Sequence, residues 1–150
     1  MYRFLLPLLL LLAVACAPRT GAPAADKAAA MSKDTTIPTP SAWRIVAFSV
    51  DGKQSPAVNK KGFVALRDGQ VGGHSGCNSF GGEFTGDVTK MKVGGVMSTK
   101  MYCAEANEQE RAVLDLFNGT VRAKMDGQTL ILTGGDNELR LERDDALLNN

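Results

Sequence analysis

The chain has 150 residues, with 17 Lys or Arg against 16 Asp or Glu, so its formal net charge is +1. This length accommodates one domain, and the charge balance excludes the basic footprint by which nucleic-acid-binding proteins hold phosphates. It also gives no sign of a polybasic membrane-binding protein. With 16 Gly and 6% aromatic residues, the composition favours short strands and tight turns over a helical bundle.

The first residues, 1–15, have the pattern of a bacterial lipoprotein signal peptide. Arg3 supplies a short basic start, an apolar stretch covers 4–14, and small residues precede Cys16. A membrane-spanning helix needs roughly 20 apolar residues, so this stretch is too short for a retained anchor. Leu-Ala-Val-Ala-Cys at 12–16 resembles a lipobox, which predicts that Cys16 carries palmitate or a similar acyl chain.

Acylation of Cys16 predicts where the protein resides. Acyl chains hold a protein on a membrane because each buried CH₂ contributes about 0.8 kcal/mol. The next residue is Ala17, whereas Asp at that position usually retains a Gram-negative lipoprotein in the inner membrane. We therefore expect a location in the cell envelope, on the outer membrane facing the periplasm if the organism is Gram-negative.

A spacer is predicted over residues 17–42. This stretch contains no aromatic residue, Leu or Val, and is rich in Ala, Pro, Ser and Thr. Such a segment buries too little apolar surface to offset the entropy lost on ordering. It is therefore expected to be a flexible tether, stiffened locally by Pro38 and Pro40.

The folded domain is predicted to span 43–143, with 144–150 as a tail. Runs of β-branched, aromatic or alternating apolar residues predict strands at 43–50, 63–67, 121–125, 129–132 and 138–143. Asp-Gly pairs predict tight turns at 51–52, 68–69 and 126–127. In the last strand Leu139 and Leu141 alternate with charged residues, which indicates a sheet with one solvent-exposed face.

One amphipathic helix is predicted over 104–118, a stretch without Gly or Pro. Its buried face is expected to consist of Ala106, Gln109, Ala112, Val113, Leu116 and Phe117. Asn-Gly at 118–119 is a suitable C-terminal stop. The element order predicts a mainly β domain of antiparallel strands, with a single helix packed on the sheet or plugging one end.

Two cysteines remain if Cys16 is acylated. In an exported protein, Cys77 and Cys103 are expected to pair. The closed loop would add roughly 3–4 kcal/mol to the free energy of unfolding. The predicted bridge ties the glycine-rich region around Cys77 to the residue before the helix.

A reactive Cys77 is the alternative, because His74 precedes it by three residues. This thiol–imidazole pair is disfavoured, since residues three apart on a strand face opposite sides. One His and two widely spaced Cys do not match a zinc site. The glycine pairs at 72–73 and 81–82 lack the Gly-Lys-Ser/Thr of a nucleotide loop. No catalytic residue, metal site or cofactor is predicted.

The order of these features resembles the META domain family, which includes the bacterial heat-shock lipoprotein HslJ. The resemblance covers Trp43 to about Arg143 and rests on Gly-Cys-Asn at 76–78, Phe-Gly at 80–81, Thr-x-Met-x-Cys at 99–103, Leu-Phe at 116–117 and Leu-x-Leu at 130–132. It implies a small antiparallel β-barrel-like fold of lipocalin-like topology with one helix. It also implies an envelope location, a link to heat shock, stress or antibiotic tolerance, and no catalytic residues.

The family-motif positions are candidates for binding. They are Gly76, Asn78, Thr99 and Met101. For Asn78 and Thr99 we favour turn formation and backbone hydrogen bonding over ligand contact.

Three functions are compatible with the sequence. The favoured one is a noncatalytic, monomeric envelope protein, held on the membrane by acyl chains, that binds an envelope protein or a small apolar ligand. The second is a pilot or assembly factor for an outer-membrane complex. The third is a thiol-dependent enzyme acting through Cys77.

Overall fold

A computed structural model describes residues 36–149. The predicted signal peptide, Cys16 and residues 17–35 of the predicted tether lie outside that range. The strands are β1 (Ser41–Val50), β2 (Lys53–Pro56), β3 (Phe63–Arg67), β4 (Gln70–His74), β5 (Ser79–Asp87), β6 (Lys90–Ser98), β7 (Thr120–Asp126), β8 (Thr129–Gly134) and β9 (Asn137–Arg143). The helix α1 spans Asn107–Leu116, after a 3-10 turn at Ala104–Ala106, and a 3-10 segment covers Asp145–Asn149.

The strands form one antiparallel sheet that closes on itself. From β3 to β9 each strand pairs with the next along the chain, and β1 pairs with both β3 and β9. The first half of β1 lies against β3, and its second half lies against the short β2. This arrangement confirms the predicted mainly β, antiparallel fold with one helix.

The predicted Asp-Gly turns connect neighbouring strands. At the first of them, Asp51 and Gly52 have φ values of 51° and 78°. Two adjacent positive φ values match the right-handed twist of the flanking strands. Asp tolerates this conformation better than most residues and Gly adopts it without steric cost.

The core fills the inside of the closed sheet, and α1 packs against β9, β1 and β8. The helix residues predicted to face the core are all buried. The largest fully buried apolar side chains include Trp43, Ile45, Phe117 and Leu130. A side chain at Gly134 would meet the backbone of Leu116, so this glycine lets α1 approach the end of β8 closely.

The domain extends beyond the predicted limits at both ends. Ile37 is 3% exposed and belongs to the core, and β1 begins at Ser41, whose hydroxyl accepts a hydrogen bond from Trp43 Nε1 (2.7 Å). One apolar residue in a Pro- and Thr-rich stretch leaves too weak a pattern to mark this boundary. At the other end, the backbone N–H of Ala42 donates to Asp145 Oδ1 (3.2 Å), so the predicted tail starts with a packed 3-10 segment.

The sequence pattern did not predict strands β2, β4, β5 and β6. Strands β4 to β6 contain seven of the 15 glycines among residues 36–149, and glycine has a low strand propensity. They form because β5 and β6 pair over nearly their whole length, with a bulge between Gly82 and Phe84. Within the described range, every helix is too short or too polar to cross a membrane.

Candidate functional site

A disulfide joins Cys77 and Cys103, with their Cα atoms 5.9 Å apart. Cys77 lies in the turn between β4 and β5, and Cys103 lies just before the 3-10 turn that leads into α1. The bridge therefore ties a strand connection to the start of the helix. Because both thiols are consumed, neither is a nucleophile in this state.

The turn that carries Cys77 has a fixed internal geometry. The backbone N–H of Ser75 donates to the carbonyl of Asn78 (2.8 Å), and the backbone N–H of Asn78 donates to Ser75 Oγ (3.1 Å). Between them, Gly76 has a φ of 111°. A Cβ at Gly76 would lie 2.7 Å from Gln109 Nε2. Both the backbone and the helix behind it therefore require glycine at this motif position.

Asn78 is the centre of the polar network under the family motif. Its side chain is buried, with the residue 1% exposed. Oδ1 accepts hydrogen bonds from the backbone N–H of Met101 (2.7 Å) and from Thr99 Oγ1 (2.8 Å). Nδ2 donates to the carbonyl of Met101 (2.8 Å) and to Glu110 Oε1 (2.7 Å). The structure thus brings Asn78, Thr99 and Met101 together, as a clasp on the loop 99–103.

Gln109 completes this clasp, although the helical pattern predicts it only as part of the buried face of the helix. It is fully buried; its Oε1 accepts a hydrogen bond from the backbone N–H of Val58 (2.9 Å), and its Nε2 donates to the carbonyl of Ser75. The signal in the sequence was a polar residue at an apolar helix position, because a buried amide needs partners on neighbouring segments.

His74 has a structural partner in the same turn. Its Nδ1 accepts a hydrogen bond from the backbone N–H of Gly76 (3.0 Å). Burial lowers the pKa of His74, nearby Lys61 lowers it further, and Glu110 acts in the opposite direction. The neutral ring is therefore the form that the folded turn favours.

This lowered pKa predicts a pH dependence of stability. The unfolded chain binds the proton of His74 more tightly, so the contribution to the free energy of unfolding is complete above the ordinary pKa of 6.5. It is lost as the pH falls below that value toward the folded pKa. Melting temperatures measured from neutral to mildly acidic pH should fall less in His74→Asn, whose Oδ1 can still accept from Gly76. Identical pH profiles for the two proteins would contradict this role.

A groove of about 670 Å³ lies on the outer face of β3 to β6. Its floor is a row of paired residues across the four strands: Ala65 faces Gly72, Gly72 faces Gly81, and Gly81 faces Met97. The alternate residues of these strands point into the core. The rim is formed by Phe63, His74 and Ser79 at one side, Arg67, Gln70 and Glu83 at the other, and Leu147 from the C-terminal 3-10 segment.

The glycine at the middle of this floor is not required by the fold. A Cβ at Gly81 would find its nearest neighbour, the carbonyl oxygen of Val71, at 3.9 Å, an ordinary van der Waals distance. By contrast, a Cβ at Gly82 would lie 2.6 Å from the carbonyl of Gly95. The backbone would accept a side chain at Gly81, and its absence leaves open space above the sheet.

Exposed apolar side chains gather near this groove and the clasp. Among residues 36–149, the large apolar side chains that are exposed are Val58 (38%), Met97 (83%), Met101 (63%) and Tyr102 (85%). Met97 forms part of the groove, and Met101 and Tyr102 sit on the loop that Asn78 and the disulfide hold. The clasp therefore presents apolar side chains to solvent on a fixed backbone.

Comparison with known proteins identifies the family. The META domain model matches residues 36–146. This range begins at the residue before the buried Ile37 and ends in the C-terminal 3-10 segment. The chain belongs to the META domain family. A comparison of this META protein with curated proteins found no match.

Two solved NMR structures have the same fold. One has a TM-score of 0.55 and 21% identity to this chain, and the match covers 74% of this chain and 93% of the other. The other, from Burkholderia xenovorans, has a TM-score of 0.54 and 21% identity, covering 70% of this chain and 82% of its own. At 21% identity, these two matches show only that the META domain shares its fold with the two structures.

The titratable side chains of residues 36–149 do not converge on a metal-ligand set. In the part of the chain that the structure describes, no group of three or more His, Cys, Asp or Glu residues is placed to hold a metal ion. The concave surface of this META domain is instead lined by glycine, apolar side chains and a few polar groups at the rim. That lining suits recognition of a ligand by shape and apolar contact.

Proposed function

We propose that this META protein is a noncatalytic lipoprotein of the cell envelope that binds an envelope protein or a small apolar ligand in its glycine-floored groove. Acyl chains on Cys16 would hold it on the membrane, with residues 17–35 as part of the spacer. In a Gram-negative organism the outer membrane, on its periplasmic side, is the expected place. A role in stress or antibiotic tolerance agrees with the family resemblance.

The groove is the observation that supports binding. Its floor lacks a side chain at Gly81 although the fold would accept one. Met97, 83% exposed, is the last residue of that floor, so the groove offers an apolar contact to a ligand. Arg67 and Glu83 at one rim offer charges that can orient a bound segment.

A noncatalytic role agrees with the state of the groups that the enzyme hypothesis needs. Cys77 is paired with Cys103, and the Nδ1 of His74 is engaged by the backbone of Gly76. A thiol enzyme requires a free thiolate beside an available base. The same residues are better explained as structural parts of the turn between β4 and β5.

Filling the groove should abolish binding without unfolding the domain. Gly81→Leu places a branched side chain in the groove, at a site where a Cβ has room. Gly94→Leu is the matched control, because a Cβ there lies 4.0 Å from the carbonyl of Glu83 and Gly94 does not line this groove. Crosslinking and pull-down of the acylated chain from membranes should recover the same partner with the wild type and Gly94→Leu only.

The outcome is interpretable when melting temperatures are measured alongside. Equal recovery with Gly81→Leu, at an unchanged melting temperature, would exclude the groove as the binding surface. Loss of recovery with both variants would point to a general effect of an added leucine on the sheet.

A role as a pilot or assembly factor is the second candidate. It is favoured by Met101 and Tyr102, which are 63% and 85% exposed on a loop fixed by the disulfide. Exposed aromatic and methionine side chains on a rigid backbone are typical of protein interfaces. Recovery of one stoichiometric protein partner that is lost in Tyr102→Ser, and retained in Gly81→Leu, would favour this candidate over groove binding.

A further inference from the structure

Strands β6 and β7 carry a cluster of cations on their outer face. Lys90 and Lys92 lie on β6, and Arg122 and Lys124 lie on β7, all four exposed. In the pairing of these strands Lys90 lies directly opposite Arg122. These four residues, which we call the basic face, are separated in the sequence by about 30 positions and meet only through the register of the sheet.

The pairing of Lys90 with Arg122 does not stabilise the sheet. Like charges placed directly opposite each other across two strands destabilise a sheet. The ion pairs within residues 36–149 involve Arg44, Arg140 and Arg143, and none involves the basic face. A net positive cluster that opposes folding and forms no ion pair of its own suggests an external anion.

Two carboxylates lie beside the basic face and offset only part of its charge, because they stand against four cations. Asp87 lies opposite Lys90 on the β5 side, and its Oδ1 also accepts hydrogen bonds from the backbone N–H groups of Thr89 (2.8 Å) and Lys90 (3.2 Å). These bonds cap the β5–β6 turn. Asp126 lies at the far end of β7, two residues beyond Lys124.

The shape of the basic face indicates what kind of anion it meets. Residues two apart on a strand are about 7 Å from each other, and neighbouring strands are about 5 Å apart. From Lys92 through Lys90 and Arg122 to Lys124, the cations therefore form a stripe about 14 Å long. It runs over the convex outside of the sheet, away from the groove lined by β3 to β6 residues such as Gly81. A convex stripe suits an extended array of anions better than one enclosed phosphate.

We propose that the basic face docks the domain onto the anionic lipid headgroups of the membrane that holds it. Lys and Arg near such a surface are attracted by the phosphates of its lipids. The net charge of only +1 on the whole chain does not oppose this, because only the charges within about one Debye length of the membrane are felt. The proposal rests on the acylated anchor of the proposed function. It adds an orientation, in which β6 and β7 face the lipid and the groove stays accessible.

The test uses the full acylated chain in vesicles of phosphatidylcholine, with and without phosphatidylglycerol. A reagent that acetylates amines is added, and modification of each lysine is followed by mass spectrometry. Lys90, Lys92 and Lys124 should react several-fold more slowly in the anionic vesicles, whereas Lys53 and Lys60, on β2 and the following loop, should react equally in both. At roughly 1 M salt, where the Debye length is about 3 Å, the difference should disappear.

Paired variants make the result specific. Lys90→Glu combined with Arg122→Glu should remove the slow reaction of Lys92 and Lys124. Lys53→Glu combined with Lys60→Glu, which changes the net charge equally, should leave it intact. Equal reaction rates in both vesicle types, or equal slowing at Lys53 and Lys60, would overturn the basic face as the docking surface.

A missing acyl anchor on Cys16 can be distinguished from a failure of the basic face. The intact mass of the chain shows whether Cys16 is acylated. If it is not, the anchor of the proposed function fails, and co-sedimentation of the free chain then tests the basic face alone. Salt-sensitive binding to anionic vesicles that the Lys90→Glu, Arg122→Glu chain lacks would support the face, and equal binding of both chains would overturn it.

Discussion

Cys77→Ser is expected to lower the free energy of unfolding by roughly 3–4 kcal/mol, because the bridge it removes closes a loop with a sequence separation of 26 residues. The loop restricts the unfolded chain, and its loss lets that chain gain conformational entropy. For a domain of this size the melting temperature should fall on the order of 10 °C or more. Thermal unfolding of the exported chain under oxidising conditions measures this directly.

The double variant Cys77→Ser, Cys103→Ser is the control for the free thiol that the single change leaves behind. Both variants should melt at a similar temperature, and reductant should bring the wild type to the same value. A melting temperature that stays unchanged in oxidising buffer would refute the structural role of the bridge.

Asn78→Ala is expected to be nearly as damaging, at about 3 kcal/mol. Its amide makes four hydrogen bonds, two of them to the backbone of Met101. Each contributes about 1 kcal/mol, and a buried group left unpaired costs more. Chemical denaturation should show the loss, together with faster amide exchange in residues 99–103.

Thr99→Val provides a graded comparison for Asn78→Ala. It removes the hydroxyl that donates to Asn78 and accepts from the backbone N–H of Ser79, so a loss of about 1 kcal/mol is expected. If Asn78→Ala instead left stability unchanged and abolished capture of a partner, the motif would be a ligand site rather than a clasp.

These contacts indicate that the residues of the family motif have a structural role. Gly76 fits where a side chain would meet Gln109, Asn78 pins the backbone of Met101, and the disulfide fixes the start of the helix region. These residues set the position of the exposed loop 99–103. The surfaces proposed for binding lie beside them, in the groove and on that loop.

The sequence predicted the elements in which local pattern and tertiary role agree. Strand β3 was predicted with its observed limits, and the helix face was predicted to the residue, including the buried Gln109. The Asp-Gly turns were found because their backbone geometry depends on two adjacent residues. Antiparallel, mainly β architecture followed from those elements.

The proposed binding surfaces could not be predicted, because they depend on register between distant segments. Gly72 and Gly81 have no distinguishing local pattern, and only pairing with Ala65 and Met97 makes them a groove floor. The same holds for Lys90 and Arg122, which meet only through the pairing of β6 with β7. Ile37 joined the core from a stretch whose composition predicted a tether.

Site-specific photocrosslinking would test the binding groove most directly. A photoreactive amino acid replaces Gln70 on the rim of the groove, or Asp136 in the exposed turn between β8 and β9, and the acylated chain is irradiated in its membrane. We expect a defined adduct from position 70, lost when Gly81→Leu is added, and none from position 136. Adducts of the same kind from both positions, or none from position 70, would contradict recognition through the groove.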